Sequence, residues 1–260
     1  MYKYYHNKQD LIEFACKYHL YNLGDFDTLD KYEVNTMMLE TVRKIIKSDE
    51  YDLFLYDIYQ YQNFKPGRVG YISKIWMTTL EGHKQWLDFF NFQGIPISNF
   101  LKNCANTLIH KKKPNTIKLY GPPGTGKSML ANALCRPWLT GTLSVHALGG
   151  TGSFALMNAA QKNVVLMEEP YFNEFTAREM LKLFNGDYFQ TDVKNENYRT
   201  IPPTPIIVTT NHTKYGLGYL NCITEGAFKR RETQYNLSRP FQSSVRLEAA
   251  PLWDLIAQCM

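Results

Sequence analysis

The chain carries, at residues 121–128, the sequence Gly121-Pro122-Pro123-Gly124-Thr125-Gly126-Lys127-Ser128. This stretch follows the apolar-alternating run 116–120 and precedes the helix-prone run 129–135. A strand, a glycine-rich turn and a helix in this order bring free backbone N–H groups and the positive end of the helix dipole to one small volume, which suits a nucleotide phosphate. Because the stretch matches GxxxxGK[ST] at every fixed position, it predicts a phosphate-binding loop.

Three glycines, a lysine and a serine give this loop its chemistry. The glycines permit a tight backbone turn. Lys127 supplies a point charge for the β- and γ-phosphates, and the Ser128 hydroxyl can ligate the Mg²⁺ that bridges them. The alternative interpretation is a glycine-rich turn that merely precedes a helix, and the strand and helix patterns on either side favour the nucleotide site.

Composition and charge restrict the class of protein. At 260 residues with 44% hydrophobic side chains, the chain can form one large domain or a core with a smaller appendage. No apolar run approaches the ~18 residues that span a bilayer, and the N-terminus lacks an apolar signal region, so we expect neither a membrane partner nor secretion. The five cysteines are scattered without CxxC spacing, which argues against disulfides and zinc and indicates a reducing intracellular compartment. The net charge of +5 is compatible with nucleic-acid binding.

Strand and helix patterns alternate from the loop onwards. The continuous apolar runs 164–167 and 206–208 suit strands that are buried on both faces. This alternation predicts an α/β fold with a mostly parallel sheet flanked by helices. We expect strands at 116–120, 142–148, 163–167 and 205–210, and helices at 153–160 and 176–184.

The first part of the chain shows helical periodicity and no evident chemistry. Ser98 is a candidate N-terminal cap for the last helix before the loop. We expect a smaller helical region at 1–82, which could serve in oligomerisation or as a linker, then the nucleotide-binding core at 83–240 and a C-terminal segment at 241–260. The helices expected before the loop are at 9–23, 31–47, 83–92 and 97–109.

Two adjacent carboxylates follow the buried strand at 163–167. Glu168 and Glu169 lie at its carboxyl end, the edge of a parallel sheet at which ligands bind and at which the phosphate loop also lies. Beside a magnesium nucleotide the two carboxylates can have different roles. Glu168 can hold the metal, while Glu169 orients and deprotonates the attacking water. A pair of surface charges is the alternative interpretation, and the position downstream of a phosphate loop favours catalysis.

Two further polar features lie between residues 187 and 211. Asn211 ends the strand at 205–210 and can reach the γ-phosphate or the attacking water, or it is a strand-terminal turn residue. The segment 187–200 has β-prone flanks around a polar turn, which predicts a hairpin. Lys194 near its tip and Arg199 on its return limb could contact a phosphodiester backbone, although a solvated hairpin has the same pattern.

Two cationic clusters have more than one interpretation. The run Phe228-Lys-Arg-Arg231 precedes the alternating segment 232–237. Such a cluster usually faces solvent, yet an arginine there could act on a nucleotide bound by a neighbouring subunit. The lysines at 111–113 follow the helix at 97–109, where they complement the helix dipole and face solvent, or contact nucleic acid.

In combination, these motifs resemble the superfamily 3 helicases of small DNA viruses, which have an AAA+ P-loop NTPase core. The chain looks most like the helicase part of parvoviral and densoviral replication proteins, and it is also similar to papillomavirus replicative helicases. The resemblance covers roughly residues 84–240, and residues 1–80 show no match to it. The matching pieces are the phosphate loop, the Glu168–Glu169 pair, the hairpin around Thr191-Asp-Val-Lys194, the strand that ends at Asn211, and Arg231.

The resemblance implies a role for each residue of the phosphate site. ATP would be bound through Lys127 and Ser128 of the loop. Mg²⁺ would lie near Glu168, and Glu169 would activate the attacking water. Asn211 would be the polar sensor of the γ-phosphate.

The resemblance also implies partners. Arg231 would be an arginine finger donated across a subunit interface, with Arg230 as the fallback. Lys194, with the adjacent Asn195, would lie on the pore hairpin that grips single-stranded DNA. Family members work as hexameric rings that translocate 3′ to 5′, and the host nucleus would be the compartment.

Two departures limit this analogy. Parvoviral replication proteins have an N-terminal nickase domain with paired histidines in His-x-His spacing, whereas the six histidines of this chain are isolated, so we infer no nicking activity. The hairpin of the family often has a histidine just after its lysine, and here that position is Asn195.

Several other functions remain open at the level of sequence. One is a nucleotide-gated assembly module that organises a ring without unwinding nucleic acid. Another is an RNA-directed viral helicase of the same superfamily. A small-molecule kinase would have the same phosphate loop. A P-loop GTPase is disfavoured, because no Asn-Lys-x-Asp motif follows a strand. The most similar segment is Asn211-His-Thr-Lys214.

Overall fold

A computed structural model describes residues 7–28, 35–64, 66–75, 80–143, 156–193, 196–215, 222–242 and 247–260. The chain forms two compact units. The first comprises Met1–Ile75 with Pro137–Leu139, and the second comprises Trp76–Arg136 with Thr140–Met260. Lys194 and Asn195 lie outside the described residues, as do parts of the predicted elements at 142–148 and 153–160. In the described ranges, no helix is both long enough and apolar enough to cross a bilayer.

The first unit is helical. Its core includes the fully buried side chains of Ala15, Val42 and Phe54, which lie on three different helices. The helices predicted at 9–23 and 31–47 are present, but the first ends early because His19 adopts the left-handed conformation, with φ 56°. The helices are α1 (Lys8–Tyr18), α2 (Thr36–Ile46), α3 (Tyr51–Asn63) and α4 (Gly67–Ile75), with a 3-10 turn at Leu23–Thr28.

A buried amide explains why residues 137–139 belong to the first unit. Gln62 Nε2 donates to the Pro137 carbonyl at 3.0 Å, and Gln62 Oε1 accepts from the Leu139 amide at 2.9 Å. The Tyr71 hydroxyl donates to the same Pro137 carbonyl. Because a buried carbonyl or amide without a partner costs about 1–3 kcal/mol, these bonds stabilise the segment in an apolar core.

The second unit contains a parallel sheet with the strand order β2-β3-β6-β1-β7. In register, Thr116 pairs with Ile206 on one side and with Glu232 on the other. The carboxyl ends of all five strands therefore meet at one edge, and the predicted α/β fold is confirmed. The strands are β1 (Thr116–Tyr120), β2 (Thr140–Leu143), β3 (Val164–Glu168), β4 (Phe189–Val193), β5 (Glu196–Ile201), β6 (Ile206–Thr210) and β7 (Glu232–Asn236).

The remaining two strands form the predicted hairpin. β4 and β5 pair antiparallel, with Thr191 opposite Arg199. The register shifts between Thr191 and Val193, which indicates a bulge or a similar irregularity.

Helices of the second unit flank the sheet. The helix α7 packs against β1, β3 and β6, and the central strand β6 is buried along its whole length. Burial of each such aliphatic side chain contributes roughly 1.5–3 kcal/mol. The helices are α5 (Leu80–Gln93), α6 (Ile97–Cys104), α7 (Lys127–Cys135), α8 (Glu174–Asn185), α9 (Cys222–Lys229) and α10 (Ala249–Ala257), with a π-helical segment at Ala105–Ile109 and a 3-10 turn at Met157–Ala159.

The structure corrects three details of the sequence analysis. The residue that caps α6 is Pro96, which makes no side-chain capping bond, so the assignment of Ser98 as the cap is wrong. The helix predicted at 97–109 becomes π-helical from Ala105. The helices α3, α4, α9 and α10 were not predicted, because their apolar runs follow no clear start signal.

Candidate nucleotide-binding site

The phosphate loop at 121–126 connects β1 to α7 at the carboxyl edge of the sheet. Gly121 has φ +143°, and a Cβ there would lie 2.0 Å from the Leu237 carbonyl oxygen. The Gly121 amide donates to the Thr210 carbonyl at 3.2 Å, and the Leu237 amide donates to the Tyr120 carbonyl at 2.8 Å. The loop therefore begins between the ends of β6 and β7, where only glycine fits.

Lys127 is held inside the loop by all three of its donor hydrogens. Its side chain is buried, with 6% exposed. The Nζ atom donates to the carbonyl oxygens of Gly121 at 2.8 Å and Pro122 at 2.7 Å, and to Asn211 Oδ1 at 3.0 Å. Burial lowers the pKa of Lys127, and the Glu169 carboxylate opposes this change. The ammonium group is thus positioned where the loop would meet a phosphate.

Glu169 and Asn211 are connected directly. Glu169 Oε2 accepts from the backbone N–H of Asn211 at 3.0 Å and from the Thr210 hydroxyl at 3.3 Å. Glu169 has φ +44°, a left-handed conformation that costs a residue with a Cβ about 1–3 kcal/mol and is common at functional sites. Since Asn211 contacts Lys127 through its side chain, the structure brings Lys127, Glu169 and Asn211 together.

Ser128 and Glu168 offer oxygen atoms at the same edge. Ser128 lies in the first turn of α7, Glu168 is the last residue of β3, and both are exposed. The two elements pack against each other. Hydroxyl and carboxylate oxygens are the hard donors that Mg²⁺ prefers, and Mg²⁺ usually takes only one or two protein ligands beside nucleotide phosphates. These residues therefore fit a magnesium ion that is shared with a nucleotide.

An aromatic cavity of about 730 Å³ adjoins the loop. The Phe241 amide donates to the Gly124 carbonyl at 2.9 Å, and a Cβ on Gly126 would lie 3.0 Å from the Phe89 ring. The rings of Phe89 and Phe241 are 4.9 Å apart at their centroids, with an edge-on geometry. The lining residues are Gln85, Asp88, Phe89, Phe92, Pro240, Phe241, Gln242 and Leu247.

A buried amide also attaches α5 to the loop. Gln93 Nε2 donates to the Thr125 carbonyl at 3.0 Å and to the Arg239 carbonyl at 2.7 Å. Gln93 Oε1 accepts from the Arg239 amide at 3.1 Å. Neither Gln93 nor the aromatic cavity was found from the sequence, because aromatic residues at helical spacing are more typical of a packed core, and a single glutamine carries no motif.

Arg231 lies at the opposite edge of the sheet. It directly precedes β7, whose first residue pairs with Thr116 at the start of β1. The five residues of β1 separate this edge from the phosphate loop by roughly 16 Å. Within one chain, the structure therefore does not bring Arg231 together with Lys127, Glu169 and Asn211.

Three cationic side chains lie near one another at this edge, and one of them, Lys113, has an acidic partner, because its Nζ lies 3.8 Å from Asp187 Oδ1. Arg231 Nη1 donates to the Ala227 carbonyl at 2.7 Å, while Arg231 Nε is buried without a hydrogen-bond partner in the described part of the chain. Arg230 and Lys113 line the same cavity of about 220 Å³. From the sequence, Lys113 is expected only to face solvent or to contact nucleic acid, because nothing in local spacing brings position 113 to position 231. The other residues that line the cavity are Pro114, Asn115, Phe184 and Asn185.

The sequence of the chain matches the model of a known protein family. Residues 22–215 match the model of the parvovirus non-structural protein NS1. The chain belongs to the parvovirus NS1 family. Since the match begins at residue 22, the expectation that residues 1–80 show no resemblance to the family is wrong for most of that region. The resemblance to parvoviral replication proteins is confirmed.

Viral replication proteins are the relatives of this NS1-family chain. The initiator protein NS1 of Bombyx mori densovirus is 27% identical over 135 residues, which cover 51% of this chain and 15% of that protein. The initiator protein NS1 of Junonia coenia densovirus is 29% identical over 162 residues, which cover 60% and 28% respectively. The replication protein E1 of human papillomavirus type 48 is 29% identical over 133 residues, which cover 50% and 22%. The chain thus spans between 15% and 28% of the length of these relatives.

A solved helicase shares the fold. The X-ray structure of JCV helicase has a TM-score of 0.55 to this chain, with 9% sequence identity, and the alignment covers 96% of this chain and 86% of that one. This likeness shows that the NS1-family chain shares the fold of that helicase, and together with the family match it supports a superfamily 3 viral helicase-like domain.

Proposed function

We propose that this NS1-family chain is an ATP-driven DNA helicase of viral genome replication, which works as a hexameric ring on single-stranded DNA. The observation that carries the proposal is the contact set at the carboxyl edge, where Asn211 connects the Lys127 ammonium to the Glu169 carboxylate. A phosphate-binding cation, a carboxylate and a polar amide at one edge of a parallel sheet form the constellation that nucleotide hydrolysis requires.

ATP would bind along the edge formed by the loop and the aromatic cavity. The backbone N–H groups and Lys127 would bind the phosphates, with Lys127 exchanging its carbonyl partners for phosphate oxygens. The base would enter the cavity beside Phe89 and Phe241, where stacking on aromatic rings favours a planar ring system. Ser128 and Glu168 would hold Mg²⁺, which neutralises phosphate charge when it is bound.

Hydrolysis would depend on Glu169 and Asn211. The Glu169 carboxylate is oriented by the backbone N–H of Asn211 and would accept a proton from the attacking water. The Asn211 side chain, which contacts Lys127, would also contact the γ-phosphate. It would thereby couple the presence of the γ-phosphate to the conformation of the loop that follows β6.

A second subunit would complete the site. Arg231 lies too far from the loop of its own chain, so it would act on a nucleotide held by a neighbour, with Arg230 as the fallback and Lys113 adding positive charge. Such head-to-tail contacts use two different surfaces and close into a ring when the rotation permits. The helical region at 1–82 would contribute to assembly, and the segment 241–260 carries part of the aromatic cavity.

DNA would be contacted by the hairpin of β4 and β5. Lys194, with Asn195 next to it in the sequence, would bind the phosphate backbone. Conformational changes driven by ATP hydrolysis at the subunit interface would then move the DNA strand. This assignment is supported by the confirmed hairpin and by the family match, whose relatives are named as initiator and replication proteins. The host nucleus would be the site of action.

The test compares ATP hydrolysis and strand separation in the parent chain and in Glu169→Gln. The parent should hydrolyse ATP faster with single-stranded DNA and should separate a duplex. Glu169→Gln should bind ATP as tightly but hydrolyse it roughly 100-fold more slowly, while the matched Glu179→Gln on α8 should behave as the parent. ATP turnover that ignores DNA, without strand separation, would favour the nucleotide-gated assembly module. Stimulation by RNA alone would favour the RNA-directed helicase.

A further inference from the structure

A buried lysine lies in the middle of β1, outside the phosphate loop. Lys118 is fully buried, and its Nζ donates to the Thr213 carbonyl at 2.7 Å. The same atom lies 3.7 Å from Glu232 Oε1 and 3.9 Å from the centroid of the Tyr215 ring. Burial lowers the pKa of Lys118, and the Glu232 carboxylate opposes this change. One ammonium group thus contacts the loop after β6 and the first residue of β7.

The partners of Lys118 are themselves fixed. The Tyr215 hydroxyl donates to Glu232 Oε2, and Gln234 Nε2 donates to Glu232 Oε1. The Tyr215 ring packs 5.1 Å from Phe172 and 5.1 Å from Phe228, measured between centroids. The loop that follows β6 is therefore folded back over the sheet and anchored there.

The two segments that meet at Lys118 carry the two halves of the proposed ATP site. Thr213 lies two residues after Asn211, and Glu232 directly follows Arg231. In register, Lys118 lies between Val208 of β6 and Gln234 of β7. Because a buried ion pair is often no more stabilising than an apolar replacement, the Lys118–Glu232 pair is not by itself evidence of a role in core stability.

We infer that Lys118 is a positioning residue, which holds the Asn211 loop against the start of β7 and so links the nucleotide site of a subunit to the Arg231 that it offers to its neighbour. This inference rests on the proposed function, since it assigns Lys118 a role through Asn211 and Arg231. A cluster that only filled the core would have no effect on turnover beyond its effect on folding.

The test is the double variant Lys118→Met with Glu232→Gln, which removes both charges together and leaves neither one unpaired. Its thermal unfolding should stay close to that of the parent. Its kcat for ATP should fall about tenfold while KM changes less than about twofold, because the phosphate loop is untouched. The matched control is Lys102→Met on the exposed face of α6, which should leave both constants unchanged.

A double-mutant cycle separates positioning from a purely structural role. In an Asn211→Ala background, the double variant should lower kcat by less than about twofold more, because the group it positions is already gone. A parental kcat in the double variant, or a second full loss in the Asn211→Ala background, would overturn the inference while leaving the proposed function intact. Absence of ATP hydrolysis in the parent chain would instead contradict the proposed function.

A second variant covers the case in which the double variant does not fold. Tyr215→Phe keeps the ring that packs among the phenylalanines and removes only the hydroxyl bond to Glu232. It should lower kcat about threefold at unchanged KM, again without a further effect in the Asn211→Ala background. An unchanged kcat in folded Tyr215→Phe would overturn the inference.

Discussion

The two edges of the parallel sheet differ in how their charged groups are satisfied. At the carboxyl edge, Lys127 uses all three donors, and Glu169 accepts two hydrogen bonds from the same chain. At the amino edge, Arg231 Nε is buried without a hydrogen-bond partner among the described residues, and Arg230 and Lys113 line the same cavity, with Asp187 3.8 Å from Lys113 Nζ. One chain therefore assembles the carboxyl edge by itself, whereas the amino edge has a charge distribution that suits an anionic group from another molecule.

The largest effect that this comparison predicts is at the carboxyl edge. Lys127→Ala should weaken ATP binding by about 100-fold, since it removes charge-assisted hydrogen bonds worth roughly 1.5–3 kcal/mol each. Hydrolysis should fall to the background of the assay. Titration with a fluorescent ATP analogue and a phosphate-release assay measure the two effects, and Lys102→Ala is the matched control. Parental binding by Lys127→Ala would show that the loop is not a phosphate site.

The effect predicted at the amino edge is on hydrolysis alone, whereas the change at the carboxyl edge abolishes hydrolysis and also weakens binding. Arg231→Ala should lower ATP hydrolysis about 1000-fold while ATP affinity stays near that of the parent, because Arg231 does not reach the loop of its own chain. Lys229→Ala, two residues earlier on α9, should have little effect. If Arg231→Ala loses affinity and turnover together, the two edges do not act as separate parts of the site.

A pair of glycine variants sharpens the description of the carboxyl edge. Gly121→Ala should weaken ATP binding about 30-fold, because its Cβ would meet the Leu237 carbonyl oxygen at 2.0 Å and displace the loop. Gly124 has φ +74°, and a Cβ there would have no atom within 4 Å. Gly124→Ala should therefore lower the free energy of unfolding only by the strain of the left-handed conformation, about 1–2 kcal/mol. Equal losses in the two variants would mean that contact with Leu237 does not fix the loop.

The smallest effect is predicted for the hairpin, which belongs to neither edge. Lys194→Ala should weaken single-stranded DNA binding several-fold and reduce the salt dependence of the affinity by about 0.7 in logarithmic slope, which corresponds to one phosphate contact. ATP binding should not change. Fluorescence anisotropy at a series of salt concentrations measures both quantities, and unchanged DNA affinity would remove the hairpin from the proposed function.

The sequence predicted which residues meet at the carboxyl edge, because each of them lies in a short motif that follows a strand. The phosphate loop, Glu169 and Asn211 all come directly after buried strands, and parallel strands bring their carboxyl ends to one edge. The sheet itself was predicted for the same reason, since its apolar runs have the length and composition of buried strands.

The residues that sequence reasoning missed depend on contacts between distant parts of the chain. Phe241 and Gln93 reach the loop from segments that carry no motif. Lys118 looked like the polar position of an alternating strand, but it is buried because Glu232 and Tyr215 supply its partners. Lys113 lines the same cavity as Arg231 because β1 and β7 are neighbours. None of these contacts has a signal in local spacing.

The most direct test of the central claim, that two subunits share one ATP site, is a mixing experiment with Lys127→Ala and Arg231→Ala chains. Each variant alone should be inactive. In a 1:1 mixture, an interface that joins the intact loop of one chain to the intact Arg231 of the other is complete, and random assembly gives about one quarter of such interfaces. ATP hydrolysis should therefore return to about that fraction of the parental rate. A mixture no more active than the sum of its two components would contradict the claim.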